Sequence, residues 1–163
     1  MSDPAAVPVN RREYPDRPWV GIGVVALRDD TVLLIRRGRP PRQGEWSLPG
    51  GGQRLGEPAE DCARRELREE TGIEVGPLSL LAVVDAITPG EPGRGPRFHY
   101  TIIDFQARWT AGEARPGGDV TEVAWVRLDA LDPYGLWPEA RRVIALAAAR
   151  DPAVQRIEDL RRI

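Results

Sequence analysis

The chain has 163 residues, 41% of them hydrophobic and 29% charged, with a formal net charge of −2. That balance suits one soluble domain with a sizeable core, and it predicts no electrostatic capture of nucleic acid or of an anionic membrane surface. All the basic residues are Arg, and Cys62 and His99 are the only residues of their kinds, which excludes an internal disulfide, a Cys/His zinc site, a Walker-type phosphate loop and Schiff-base chemistry on lysine.

Residues 1–18 are rich in Pro, Arg and Asp without periodicity and predict a flexible N-terminal arm. No apolar h-region opens the chain and no apolar run reaches the length of a membrane span, so a cytoplasmic protein is expected. The domain proper is expected over 19–150, with 151–163 a tail or short helix. WVGIGVVAL from Trp19 and TVLLIRR from Thr31 predict two strands joined by a polar turn. Gly21 to Ala26 has the letters of a dinucleotide fingerprint, but its glycines lie within a strand that turns into another strand, where that fingerprint needs a helix to begin.

Trp46 to Leu48 predicts a short extended piece, and residues 58–71 predict a helix started by Pro58 and stopped by Gly72. Strands are predicted over 79–88, 98–109 and 120–128, and an amphipathic helix over 137–150 with Val143, Ile144, Ala147 and Ala148 as its apolar stripe. No repeat and no second domain is visible.

The helix over 58–71 carries the chemistry. Glu66 and Glu70 are four residues apart and Glu69 is three from Glu66, so the three carboxylates share a face that continues through Ala59, Cys62 and Ala63. Glu60, Asp61, Arg64, Arg65 and Arg68 lie opposite, on the outward side, where charges are explained as a solvated face. The inner acids are not, because charge on a partly buried stripe must be compensated. A hard divalent cation, Mg²⁺ or Mn²⁺, is the economical partner for several carboxylates. Cys62 reads as a small core residue.

Gly51, five residues, Glu57, seven residues and then Arg65-Glu66-Leu67-Arg68-Glu69-Glu70-Thr71-Gly72-Ile73 matches the Nudix box at every defined position, after the lead-in Trp46-Ser47-Leu48-Pro49-Gly50. The chain therefore resembles the Nudix hydrolases over residues 19–149. The resemblance implies an α/β fold, a Nudix α/β/α sandwich with a mixed, curved β-sheet. It implies that Glu66, Glu69 and Glu70 and the carbonyl of Gly50 or Gly51 hold Mg²⁺ or Mn²⁺, with Glu69 a ligand or the base, and that Arg65 and Glu57 orient the ligands. A further catalytic Glu corresponds to Glu122.

By the same resemblance the substrate is a small-molecule nucleoside diphosphate linked to another moiety. The wording of the box entrance, the segment YPDRPWVGIGVVAL and Pro89 resemble ADP-ribose pyrophosphatases, which implies ADP-ribose giving AMP and ribose 5-phosphate. Arg17, Arg37, Arg39 and Arg97 are candidates to clamp phosphates, Gly51 and Gly52 to admit the diphosphate, and His99 and Tyr100 to touch substrate, with Trp19 and Trp46 more at home in the core. A (d)NTP pyrophosphohydrolase and a non-catalytic nucleotide-sugar sensor are the alternatives, and a homodimer is compatible with the family.

Overall fold

A computed structural model describes residues 12–162. β1 (Trp19–Arg28) and β2 (Thr31–Arg37) form the expected hairpin, turning at Asp29 with φ of 51°. β3 (Trp46–Ser47) and β4 (Gly50–Gly52) precede α1 (Ala59–Thr71). There follow β5 (Glu74–Val75), β6 (Ser79–Thr88), β7 (Phe98–Ala111) and β8 (Val120–Arg127). A 3₁₀ turn at Asp132–Tyr134 leads to α2 (Pro138–Arg150) and α3 (Pro152–Arg161).

The strands join in one sheet with the path β3-β2-β1-β7-β5, while β4 pairs with β1, β6 with β7 and β8 with β2. β1 and β7 run parallel from Trp19 opposite Tyr100 to Leu27 opposite Arg108, and the other pairs are antiparallel, so the sheet is mixed. Successive side chains of a strand point to opposite faces, and β1 sorts accordingly. Ile22, Val24 and Ala26 pack with Cys62, Ala63 and Leu67 of α1. Val25 and Leu27 pack with Val143, Ile144 and Ala147 of α2 and with Val154 of α3. Two apolar cores thus lie back to back, giving the α/β/α sandwich.

α1 begins at Pro58, whose φ of −59° suits a helix entrance, and Glu60 and Asp61 sit in its first turn, where acids meet the positive end of the helix dipole. Gly72 ends it in the left-handed region at φ of 71°, its N–H donating to the Arg68 carbonyl. β4, β5 and the 3₁₀ turn were not visible in the sequence. β4 is three glycines, with no side chains to show an alternation, and β5 is two residues long.

Of the arm expected over 1–18, residues 1–11 lie outside the described residues. Residues 12–18 have no regular secondary structure, yet Glu13 accepts a 2.7 Å hydrogen bond from Arg97 and the Tyr14 N–H donates to the Arg97 carbonyl at 2.8 Å. Among the described residues no helix is long and apolar enough to cross a membrane.

Candidate active site

α1 packs its Cys62, Ala63 and Leu67 into the core, and that contact fixes where its charged side chains emerge. Arg65, expected on the outward face with Arg64 and Arg68, instead lies in the middle of the acids. Its guanidinium donates to both oxygens of Glu57, at 2.6 and 3.0 Å, to Glu66 at 2.7 Å and to Glu69 at 3.2 Å, and it reaches the Gly52 carbonyl at 3.2 Å. The Arg65 hydrogen bonds, with help from the Arg54 backbone N–H, hold the Glu57 carboxyl down at about 2. Arg65 is itself raised, chiefly by Glu57. Arg64 is not simply solvated either, since it donates to the carbonyls of Val75 and Gly76 at 2.9 Å each.

The glycines of β4 make the close approach feasible. A Cβ on Gly51 would lie 2.4 Å from the Glu66 carboxyl carbon, and one on Gly50 would meet the Ile22 carbonyl oxygen at 2.0 Å. The Gly50 N–H donates to Glu70 at 2.9 Å. Burial pushes the Glu70 carboxyl up to about 7; the Gly50 hydrogen bond and the Arg37 charge work against the rise, and the Glu66 and Asp119 charges add to it. The three box glutamates therefore differ. Glu66 is nearly enclosed, Glu70 is desolvated against Gly50, and Glu69 is half exposed, with Arg54 at 3.8 Å on its outer side.

This donor set suits a hard divalent cation. All its atoms are oxygens, and the desolvated Glu70 carboxylate has only one N–H to stabilise its charge among the described residues. Among the described residues no group of three or more acidic, His or Cys side chains is drawn together as a metal-holding cluster, and Arg65 bonds both Glu66 and Glu69.

Elsewhere the expected residues disperse. Strand alternation puts Glu122 on the α2 side of the sheet, opposite α1, where it bonds Arg36 at 2.7 Å. The later acid whose charge is felt at Glu70 is Asp119, which the sequence reading missed. It is paired with Arg39 at 2.9 Å, and its carbonyl accepts from the Gly38 N–H at 2.7 Å. Its only sequence signal was position, three residues ahead of Glu122. Arg37 contributes its charge at Glu70, whereas Arg17 lies exposed beside Asp16 and Arg97 is occupied by Glu13. His99 and Tyr100, adjacent on β7, point to opposite faces, and Tyr100 lies beside Gly21. Cys62 is buried with its thiol pushed up to about 12 by burial, as befits a core residue.

A helix that presents acids and a clamping Arg to a glycine strand, set on one face of a mixed sheet, places the chain in the class of α/β/α sandwich domains. The NUDIX domain model matches residues 17–147, and the chain belongs to the Nudix hydrolase family. An ADP-ribose pyrophosphatase of Methanocaldococcus jannaschii is 35% identical over 70% of this chain and 64% of its own length. An NAD-capped RNA hydrolase of Pseudomonas aeruginosa is 36% identical over 78% of this chain and 43% of its own. The chain thus spans less than two thirds of the length of these curated relatives. The solved structure of a MutT Nudix hydrolase from Burkholderia pseudomallei superposes with a TM-score of 0.71 at 34% identity, covering 80% of this chain and 98% of that one.

Proposed function

We propose that the chain hydrolyses a nucleoside diphosphate linked to a second moiety, with ADP-ribose cleaved to AMP and ribose 5-phosphate. The observation that carries the reaction is the division of labour in α1: Glu66 clamped by Arg65, Glu70 desolvated on the Gly50 N–H, and Glu69 open to solvent between them. The relative named as an ADP-ribose pyrophosphatase supports the substrate.

Water adds to one phosphorus, the bridging oxygen leaves with the other phosphate, and one proton is released. Glu69, half exposed beside the enclosed pair, is placed to take that proton. Mg²⁺ or Mn²⁺, held by Glu66, Glu69, Glu70 and the Gly50 carbonyl, would neutralise charge on the phosphoryl oxygens and lower the pKa of the attacking water. Arg65 keeps Glu66 and Glu57 in place, and Gly51 leaves the Glu66 carboxyl the room against the strand that a Cβ would take. Arg37 adds positive charge from β2.

The test is a panel of ADP-ribose, NADH, UDP-glucose, dinucleoside polyphosphates and dNTPs with Mg²⁺ and with Mn²⁺, products resolved by chromatography. AMP with ribose 5-phosphate supports the proposal. Pyrophosphate released from a dNTP, with ADP-ribose left intact, establishes the MutT-type activity that the Burkholderia neighbour favours. Glu70→Gln is expected to lower kcat by at least about 100-fold with the fold unchanged by circular dichroism; near-normal turnover would sink the assigned role.

A further inference from the structure

The turn that carries the chain from β4 into α1 is fixed by hydrogen bonds and not by buried side chains. Glu57 accepts a 3.0 Å hydrogen bond from the Arg54 N–H, and its own N–H donates to the Arg54 carbonyl at 3.1 Å. The Gln53 side chain donates to the Glu57 carbonyl at 2.7 Å, and the Gln53 N–H ties the turn to Val20 of β1 at 3.2 Å. Glu57 is in turn gripped by Arg65, so the turn is braced against the acids of α1. Leu55, at its tip, is fully exposed and buries nothing against the core. What this rigid turn displays at the rim of the acids is the side chain of Arg54.

That side chain is the least committed cation at the site. Arg65 is engaged by Glu57, Glu66 and Glu69, Arg37 donates to the Pro41 carbonyl at 3.1 Å, and Arg39 is paired with Asp119 at 2.9 Å. Among the described residues Arg54 has only Glu69, and its guanidinium stands 3.8 Å from that carboxylate, beyond hydrogen-bond length. The two side chains are 65% and 49% exposed, and so open an ion pair contributes little and gives way easily. A diphosphate carries negative charge to a place already crowded with carboxylates. A cation on the inner acids would meet one phosphate, and the other needs positive charge at the rim. A guanidinium on a braced backbone suits it, because its planar fork matches two phosphate oxygens.

We infer that Arg54 leaves Glu69 to grip the outer phosphate of the bound diphosphate, the one farther from Glu66 and Glu70, through two parallel N–H···O hydrogen bonds. The inference rests on the chain acting on a nucleoside diphosphate, and it assigns the residue that tells a diphosphate from a monophosphate. Its test is calorimetry in Mg²⁺ with α,β-methylene-ADP, whose bridge resists hydrolysis, and with AMP. Wild type is expected to bind α,β-methylene-ADP at least about tenfold more tightly, as a charge-assisted pair of hydrogen bonds allows. In Arg54→Ala the two affinities should come within about twofold of each other. Arg54→Lys, which keeps the charge and loses the fork, should retain part of the preference. With ADP-ribose, Arg54→Ala should raise KM about tenfold and hold kcat within about threefold, as loss of a contact made equally in ground and transition states does.

An unchanged affinity ratio in a folded Arg54→Ala protein overturns the inference, as does a wild type that binds the two ligands alike or binds neither. Turnover of ADP-ribose together with an unchanged ratio sinks the inference alone. A preference that depends on Arg54 in a protein that hydrolyses nothing in the substrate panel sinks the hydrolase reading and leaves Arg54 assigned.

Discussion

Arg65 is shared among Glu57, Glu66 and Glu69 through the fixed fork of a guanidinium, which a lysine ammonium cannot reproduce. Arg65→Lys is expected to lower kcat/KM about 10–100-fold, as loss of a ligand-orienting residue does, while purified protein still gives native circular dichroism. Gly51→Ala would force a methyl against the Glu66 carboxyl, so activity should fall by a similar factor, about 10–100-fold, in steady-state assays, by displacing a ligand. Asp104 gives a pH signature. Its carboxyl rises from the ordinary 3.8 to about 6 because it is buried, with the Arg142 charge opposing. The unfolded chain therefore gives up this proton first as pH rises, and the stability present below about pH 4 is lost as pH climbs through about 6. Asp104→Asn should be more stable than wild type at pH 7 by on the order of 2 kcal/mol, with the gap closing below pH 4, read from urea denaturation. Of the residues, Glu57, Arg65, Glu66 and Glu70 were legible because one helix and the turn before it bring them together. Asp104 and Asp119 were not, since Asp104 meets Gly23 across a strand pair and Asp119 nears Glu70 from a distant loop.

α1 stands between two signals readable in sequence, Pro58 and Gly72, and its bounds followed from them. Its azimuth was less legible. Spacing at 100° per residue orders side chains around the axis but does not say which of them the sheet encloses. The packing of Leu67, Cys62 and Ala63 turns Glu66 inward, leaves Glu69 half exposed and draws Arg65 in beside them. Leu67→Ala should cost about 2–5 kcal/mol by opening a cavity under this helix, measurable by urea denaturation. Glu122 shows a second limit. A register shift between Arg36 and Arg37 changes the phase of β8 just ahead of it, and no motif announces such a bulge.

The sandwich as a whole carries one core on each face of a shared sheet, and the clamped acids and Asp104 fall on opposite sides of it. At the scale of the molecule a cation that binds the folded state must raise Tm. Millimolar Mn²⁺ or Mg²⁺ should do so in differential scanning calorimetry and should fail to in Glu70→Gln, a check on ion binding that needs no substrate. The back-to-back cores have a consequence for how such a protein changes over time. Residues under α2 can be exchanged while the face that carries the acidic helix keeps its own packing. Leu67→Ala and Asp104→Leu should accordingly add in stability to within about 0.5 kcal/mol. A chain built this way can hold one face constant while it varies the other.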